Sequence, residues 1–215
     1  MELNKIHLAD CMDIMKDMPD NYIDLAVVDP PYGIGESGGK SRTKKNRPNS
    51  HLSKHKHEKK EWDIKPNKEY FDELFRISKN QIIWGANYLS TLINKDSSCW
   101  IVWDKNIGGD QADCDLAWAS FKTAIRKFTG HPFIGTKGGL TRIHPTQKPV
   151  VLYRWILQNY AKEKDLIFDS HSGSGSLAIA CIEEGFNYIA CELDPDYHRA
   201  SIERIQPYLD QGKLF

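Results

Sequence analysis

Residues 165–176 read Asp-Leu-Ile-Phe-Asp-Ser-His-Ser-Gly-Ser-Gly-Ser, a short apolar run that passes into a loop of small residues. The apolar run predicts a strand, and the segment from Leu177 to Glu184 predicts a helix directly after the loop. Glycines let the backbone approach a ligand closely, and a helix N-terminus favours a negatively charged group. The next predicted strand ends at Glu192, where a carboxylate can accept hydrogen bonds from ribose hydroxyls. This unit therefore indicates an adenosine-binding site.

Two other interpretations of the same loop stay open at this point. Residues 173–178 satisfy the G-x-G-x-x-A form of the dinucleotide fingerprint, which is compatible with an NAD-linked oxidoreductase. A tight strand-to-helix turn without a ligand is the simpler alternative. The acids Asp169 and Glu192 favour an adenosine site over an empty turn.

The remainder of the chain repeats the alternation of strand and helix. Strands are predicted at 4–10, 24–28, 81–84, 98–103, 116–122, 165–169 and 188–192. Helices are predicted at 67–78, 88–93, 149–161, 177–184 and 195–205, and residues 124–146 are predicted to be irregular. This alternation predicts an α/β sandwich with a mostly parallel, seven-stranded sheet. Ligands bind at the carboxyl ends of such strands, where the sequence places Asp10, Asp29, Asp169 and Glu192.

Composition is that of an ordinary globular protein in one domain, residues 1–215. The formal net charge is zero, with 29 basic and 29 acidic residues, which argues against a protein that coats nucleic acid without specificity. The five cysteines are odd in number and none form a C-x-x-C pair, so free thiols in a reducing cytoplasm are expected. No apolar run approaches the roughly 20 residues of a membrane span, and no signal peptide is recognisable.

A second motif, Asp-Pro-Pro-Tyr at 29–32, directly follows a predicted buried strand. Two prolines stiffen the turn, so its carboxylate and carbonyl oxygens are aimed in advance. Asp29 and the Pro30 carbonyl can accept hydrogen bonds from an exocyclic amine, and Tyr32 can stack on a base taken out of the double helix. A stiff turn whose acid caps a neighbouring helix is the alternative if the motif stands alone.

Three segments together resemble a known family. DPPYG at 29–33, HPTQKP at 144–149 and FDSHSGSGS at 168–176 are similar to motifs IV, X and I of the amino-group DNA methyltransferases, in the order of the β class. The resemblance covers nearly the whole chain. It implies a Rossmann-like fold that uses S-adenosyl-L-methionine, in a bacterial or phage-encoded cytoplasmic enzyme.

The resemblance also implies site residues. The catalytic turn would be Asp29, Pro30, Pro31 and Tyr32. The cofactor pocket would be lined by Asp10, Cys11, Thr146, Lys148, Asp169, His171, Ser172, Gly173, Gly175, Glu192 and Leu193. Within this set, Asp10 would meet the adenine of the cofactor, and Thr146 and Lys148 would lie near its methionine end. The chain departs from the usual DPFxGSGT motif, because Ser170, His171 and Ser176 replace its Pro, Phe and Thr.

We therefore expect an enzyme that transfers a methyl group to N6 of adenine in DNA. N4 of cytosine is the nearest alternative, although such enzymes more often resemble Ser-Pro-Pro-Tyr at this turn. An oxidoreductase and a catalytically silent nucleic-acid-binding relative are more distant hypotheses. We expect no metal, because solvated side chains explain His51, His55 and His57 better than a metal site does.

Two segments are candidates for contact with DNA. Residues 36–60 form a basic loop that either contacts phosphates or is simply solvated, and the two interpretations are equally supported. The family's target-recognition region would fall at about 105–142. Such a short region predicts a short recognition sequence or a homodimer in which the second subunit contributes.

Overall fold

The computed structural model describes residues 1–35, 62–107, 112–132 and 142–211. The strands are β1 (Lys5–Leu8), β2 (Ile23–Val28), β3 (Ser78–Trp84), β4 (Cys99–Asp104), β5 (Cys114–Ala119), β6 (Arg126–Thr129), β7 (Leu166–Asp169) and β8 (Asn187–Glu192). The helices are α1 (Cys11–Lys16), α2 (Lys68–Ile77), α3 (Ala86–Ile93), α4 (Val150–Tyr160), α5 (Ser176–Glu184) and α6 (Pro195–Gln211).

All eight strands form one sheet in the order β1-β8-β7-β2-β3-β5-β4-β6. Every neighbouring pair is parallel except the two that involve β5. The mostly parallel α/β sheet expected from the sequence is therefore confirmed. Because β1, β8, β7 and β2 are consecutive neighbours, their carboxyl ends lie side by side on one edge of the sheet.

The number of strands differs from the expectation of seven. The additional strand is β6, which pairs in parallel with β4 inside a region that the sequence predicted to be irregular. Its four residues are mostly exposed and only Phe128 is apolar, so no alternating pattern marks it. The short helix α1 was likewise not predicted, because six residues carry little helical periodicity.

The core occupies both faces of the sheet, which explains the continuous apolar run of β2. Leu25 and Val27 pack on the face that is covered by α4 and α5. Ala26 and Val28 pack on the opposite face, against α1, α2 and α3. Strands that are buried on both faces lack the alternation of a half-exposed strand. No helix among the described residues is long and apolar enough to cross a membrane.

Asp24 joins three central strands at the edge opposite the predicted site. One carboxylate oxygen of Asp24, in β2, accepts a hydrogen bond from the backbone N–H of Leu166 in β7 at 2.9 Å. The other oxygen is 2.6 Å from the ammonium of Lys79 in β3. This single side chain therefore helps to fix β7, β2 and β3 relative to one another.

The substitution Asp24→Ala should lower the free energy of unfolding by about 1–2 kcal/mol, since it removes a charge-assisted hydrogen bond and its ion pair. Denaturant titration measures this loss. Glu203→Ala, at an exposed position of α6, is the control and should change the free energy of unfolding by less than about 0.5 kcal/mol. Equal effects of the two substitutions would contradict the role of Asp24.

Candidate active site

Four acidic residues line the carboxyl edge of the sheet in spatial order. Asp10 follows β1, Glu192 ends β8, Asp169 ends β7 and Asp29 follows β2. The sequence predicted all four at strand ends, and the strand order brings them into one row.

The carboxylate of Glu192 is held by the loop between β7 and α5. Its two oxygens accept hydrogen bonds from the backbone N–H groups of Gly173 at 2.7 Å and Asp194 at 2.9 Å. Burial raises the pKa of Glu192, and these backbone donors oppose the increase. Each carboxylate oxygen keeps a lone pair that can accept a hydrogen bond from a ribose hydroxyl. The exposed side chain of Leu193 follows at the rim.

The loop keeps its shape because two of its residues are glycines in the left-handed region. Gly175, at φ +71°, precedes the first residue of α5, and a Cβ there would lie 3.2 Å from Ile205 and 3.3 Å from Ile6. Gly173 has φ +52°, and a Cβ there would lie 3.5 Å from the ring of His144. The two glycines therefore let the loop turn closely against α6 and against His144.

Arg204 braces the loop from α6, although nothing in the sequence indicates this contact. Its Nη1 donates to the carbonyl of Ser174 at 2.6 Å and to the hydroxyl of Ser176 at 2.9 Å. Ser172 connects the loop to β8, since its backbone N–H donates to the carbonyl of Cys191 at 2.8 Å.

The residues that depart from the usual motif form a connected group with Tyr70 of α2. The Tyr70 hydroxyl lies 2.7 Å from the Ser170 hydroxyl, which lies 2.8 Å from Nδ1 of His171. The imidazole packs edge-on against the Tyr70 ring, with 5.5 Å between ring centroids. Burial lowers the pKa of His171 to about 4, so the ring is neutral at pH 7. A neutral aromatic ring thus stands where the motif usually has Phe.

Asp169 is buried beside this group and accepts a hydrogen bond from the backbone N–H of His171 at 3.2 Å. Burial raises the pKa of Asp169 to about 8, with further increases from Asp29 and Glu192. Removing the carboxylate from water and placing it among other acids both favour its protonated form.

At the other end of the row, Asp10 caps α1. Its Oδ1 accepts a hydrogen bond from the backbone N–H of Met12 at 2.8 Å. Cys11 is buried next to it, and burial raises the pKa of its thiol to about 12. A protonated thiol at this place acts as a small apolar side chain.

Both oxygens of Asp29, in the turn from Asp29 to Tyr32, receive hydrogen bonds from neighbouring side chains. Oδ1 of Asp29 accepts a hydrogen bond from the Tyr32 hydroxyl, and Oδ2 accepts one from the ammonium of Lys148. Lys148 is only 4% exposed, and its Nζ lies 5.2 Å from the centroid of the Trp84 ring. Lys148 was expected near the methionine end of the cofactor, whereas the structure places its ammonium on Asp29.

Tyr32 is enclosed by two residues that the sequence did not identify. Its ring stacks on Tyr88 of α3, with 5.4 Å between centroids and 19° between planes. The other neighbour is Gly85, at φ +66°, where a Cβ would fall 2.0 Å from Cε1 of Tyr32. Burial, followed by the charge of Asp29, raises the pKa of the Tyr32 hydroxyl well above its usual value. Pro30 is buried and Pro31 is half-buried, which fixes the turn that carries both side chains.

The segment from His144 to Pro149 connects the two halves of the site. The His144 ring lies between Tyr197 and Trp62, at centroid distances of 4.4 Å and 5.0 Å. The Thr146 hydroxyl lies 3.1 Å from Nδ1 of His144, whose ring lies beside Gly173 of the loop between β7 and α5.

Asp63 is a further residue that sequence reasoning missed. Its two carboxylate oxygens accept hydrogen bonds from the backbone N–H groups of Gly33 at 2.8 Å and Gly35 at 2.6 Å. These hydrogen bonds connect the chain after residue 61 to the residues that directly follow Tyr32.

Several sequence expectations lie outside the described residues. These are the basic loop 36–60 with His51, His55 and His57, and the part of the 105–142 region that includes Lys137, Gly138 and Gly139. In the described ranges, no group of three or more His, Cys, Asp or Glu side chains is arranged to hold a metal ion. The five cysteines are free thiols, of which Cys114 is exposed.

The family model for N6 and N4 methyltransferases, which is described as DNA methylase, matches residues 40–203 of this chain. The chain belongs to this family. The matched range includes the loop between β7 and α5, and it begins after Tyr32. The family is one that uses S-adenosyl-L-methionine, so the expected cofactor is confirmed at that level.

The similarity to two related proteins also includes the turn from Asp29 to Tyr32. YubD of Escherichia coli (strain K12), whose name describes it as a methylase, is 25% identical and covers 95% of this chain and 92% of its own length. The type II methyltransferase M2.MboI of Moraxella bovis is 26% identical, covering 93% of this chain and 86% of its own.

Solved structures of other proteins show the same fold. M1.HpyAVI in complex with SAM has a TM-score of 0.60 at 21% identity and covers 93% of this chain and 98% of that one. TTHA0409 of Thermus thermophilus with S-adenosyl-L-methionine has a TM-score of 0.58 at 14% identity, covering 95% of both chains. The cytosine-N4-specific PvuII methyltransferase has a TM-score of 0.60 at 13% identity, covering 97% of this chain and 92% of that one.

The methylase should depend on Gly85 for the position of Tyr32. Gly85→Ala should lower the rate of methyl transfer about 100-fold, since its Cβ must push the Tyr32 ring aside. Gly185→Ala is a matched control, because Gly185 has φ +76° but nothing within 4 Å of a Cβ. Both variants should lose about 1 kcal/mol of stability from backbone strain, Gly85→Ala should lose more because of its clash with Tyr32, and only Gly85→Ala should lose activity. Equal activities would show that the Tyr32 position does not matter.

Asp169→Asn should stabilise the protein more at pH 8 than at pH 5. The folded state keeps the Asp169 proton up to a pKa of about 8, whereas the unfolded chain loses it near pH 4. The contribution of Asp169 to the free energy of unfolding of the wild type therefore falls as pH rises from about 4 to about 8. The melting temperature of the variant should exceed that of the wild type by about 3 °C or more at pH 8, and the gap should shrink at pH 5. A constant gap would contradict the raised pKa.

Proposed function

We propose that this chain methylates the exocyclic N6 amine of adenine in DNA, on a base taken out of the helix. The observation that carries the proposal is the place of Asp29. Its carboxylate follows β2, and the glycine loop follows β7, the strand that pairs with β2. An amine acceptor and a nucleoside-binding loop therefore meet at one edge of the sheet.

The proposed cofactor fits the residues of the loop. Gly173 and Gly175 let the loop adopt left-handed backbone conformations at the end of β7, and Glu192 offers a fixed carboxylate for a ribose. Asp10, Cys11, Ser172 and Leu193 complete the adenosine side in this proposal, and Thr146 and His171 complete the side toward Asp29. S-adenosyl-L-methionine supplies a methyl group on a positively charged sulfur and leaves as S-adenosyl-L-homocysteine.

The residues of the turn activate the amine by holding it. The adenine amine is a poor nucleophile, because its lone pair is delocalised into the ring. A hydrogen bond from one N–H to Asp29 and another to the Pro30 carbonyl draw the nitrogen toward tetrahedral geometry and localise the lone pair. Asp29 would accept the proton that the amine sheds once it has taken the methyl group, whose bond to sulfur breaks with the electron pair staying on the sulfur, and would pass this proton to water. Alignment of the two reactants provides most of the rate in this scheme.

Methylation of N4 of cytosine is the second candidate. The same pair of acceptors can hold either amine, and the cytosine-N4-specific PvuII methyltransferase shares this fold. Asp at position 29 favours adenine, since the resemblance associates Ser with cytosine enzymes. Membership of the DNA methylase family removes the oxidoreductase alternative.

The proposed partner is DNA, with the chain as one domain. M2.MboI and M.HpaI are both named type II methyltransferases, which favours a place in restriction–modification over an orphan or phage-encoded role.

The homodimer hypothesis rests on the short 105–142 region. Sedimentation velocity with and without DNA tests it, and a monomer under both conditions would contradict it.

Incubation of the purified protein with unmethylated genomic DNA and S-adenosyl-L-methionine should yield N6-methyladenine in a defined sequence context. Nucleoside mass spectrometry identifies the base, and sequencing that detects modified bases gives the context. N4-methylcytosine would support the second candidate. Cofactor binding without any product would indicate a catalytically silent relative.

The variant Asp29→Ala should lower the rate of transfer at least about 100-fold, because the amine loses a charged acceptor. Glu163→Ala, exposed at the amino end of β7, should leave the rate unchanged. Wild-type activity in Asp29→Ala would overturn the assignment of the turn.

A further inference from the structure

Both oxygens of the Asp29 carboxylate already receive a donor, and each keeps one further lone pair. The Tyr32 hydroxyl donates to Oδ1, and the Lys148 ammonium donates to Oδ2. The proposed function needs one of these oxygens for the target amine. The amine gains the strongest hydrogen bond if the resident donor on that oxygen withdraws, because two donors on one oxygen share its negative charge.

Lys148 is the donor that is hard to move. Its side chain is 4% exposed, and among the described residues Asp29 is the carboxylate within ion-pair distance of it. The backbone of its neighbour Gln147 is fixed by a hydrogen bond to the His144 carbonyl at 3.2 Å, and the Gln147 side chain accepts one from Ile143 N–H at 3.2 Å. Withdrawal of the ammonium would leave two buried charges without their partners, which is far more costly than losing a neutral hydrogen bond.

Tyr32 is the donor that can leave. Its hydroxyl is neutral, and it can turn its proton away from Oδ1 while the ring stays stacked on Tyr88 and over Gly85. Leaving a neutral hydroxyl without its acceptor costs less than separating a buried ion pair. The incoming amine takes the place of the hydroxyl on Oδ1.

We infer that Lys148 is a positioning residue for the reaction: it holds Oδ2 of Asp29, while the target amine displaces the Tyr32 hydroxyl from Oδ1. This inference rests on the proposed function and refines it. It differs from a contact between Lys148 and the methionine end of the cofactor, which is the role that the resemblance implies. The two roles predict different kinetic changes when the ammonium is removed.

The decisive variant is Lys148→Met, which keeps the length of the side chain and removes its charge. Loss of Asp29 positioning should lower kcat about 100-fold, with the Kd for S-adenosyl-L-methionine within about threefold of wild type. Lys148→Arg should recover part of kcat, because it restores a cation beside Asp29. Calorimetry gives the Kd, and single-turnover methylation of DNA at saturating cofactor gives the rate.

Tyr32→Phe tests the second half of the inference without disturbing the charged pair. It keeps the ring and removes the hydroxyl that the amine displaces, so the KM for DNA should fall, because the amine then meets a free position on Oδ1. Lys162→Met, exposed before the amino end of β7, is the control and should match the wild type. Thermal unfolding of every variant separates local effects from loss of the fold.

Each other outcome overturns a specific statement. A Kd raised tenfold or more in Lys148→Met, with a wild-type rate at saturating cofactor, would place Lys148 on the cofactor and refute the inference alone. An unchanged rate and Kd would refute it as well. A Tyr32→Phe variant as inactive as Asp29→Ala would show that the hydroxyl is required and not displaced. A wild-type protein that binds cofactor but methylates no DNA would overturn the proposed function and, with it, this inference.

Discussion

The parallel pairing of β2 with β7 is the contact on which the candidate site depends. Ala26 lies opposite Phe168 in this pair, so the next residues along both strands emerge at the same edge of the sheet. The turn that begins at Asp29 and the glycine loop that begins after Asp169 are far apart in sequence. Only the sheet brings them together, and the two apolar layers that cover it keep the pairing rigid. A shift in the register of β2 would move Asp29 away from the loop and also turn its apolar side chains to the wrong face.

The same arrangement places four acidic side chains near one another, and the surrounding donors and one cation offset part of their unfavourable electrostatic energy. Four acids stand in one row, and Asp169 and Glu192 are both buried enough that their pKa values are raised. Backbone N–H groups stabilise Glu192, and Lys148 provides the cation beside Asp29. Among the described residues, Asp169 receives one long hydrogen bond, from the backbone N–H of His171, and its burial is therefore a source of instability. Such local cost is common at functional sites, and a positively charged cofactor next to this row would relieve it.

Much of this site is visible in the sequence, because its chemistry is carried by short contiguous motifs. Asp29 to Tyr32, the Gly173 to Gly175 loop and Glu192 each stand directly after an apolar run, and the α/β alternation predicts which edge they share. Gly85, Tyr88, Tyr70, Arg204 and Asp63 could not be predicted in this way. Each acts by contact with a distant segment, and nothing in its own neighbourhood separates it from an ordinary turn or helix residue. The edge strand β6 was missed for the related reason that an exposed four-residue strand needs no apolar pattern.

The departures at Ser170 and His171 are understandable only together with Tyr70. A single change from Phe to His in this buried place would leave an imidazole nitrogen without a partner, which is destabilising. Here Nδ1 is satisfied by the Ser170 hydroxyl, which is in turn satisfied by the Tyr70 hydroxyl. The three polar groups thus replace an apolar contact as one unit, while the edge-on packing of two rings is retained. If the Tyr70 hydroxyl donates to Ser170, the Ser170 hydroxyl donates to Nδ1, and the imidazole proton then resides on Nε2. The ring therefore presents a hydrogen-bond donor from a neutral group beside a row of acids, which the usual Phe does not offer.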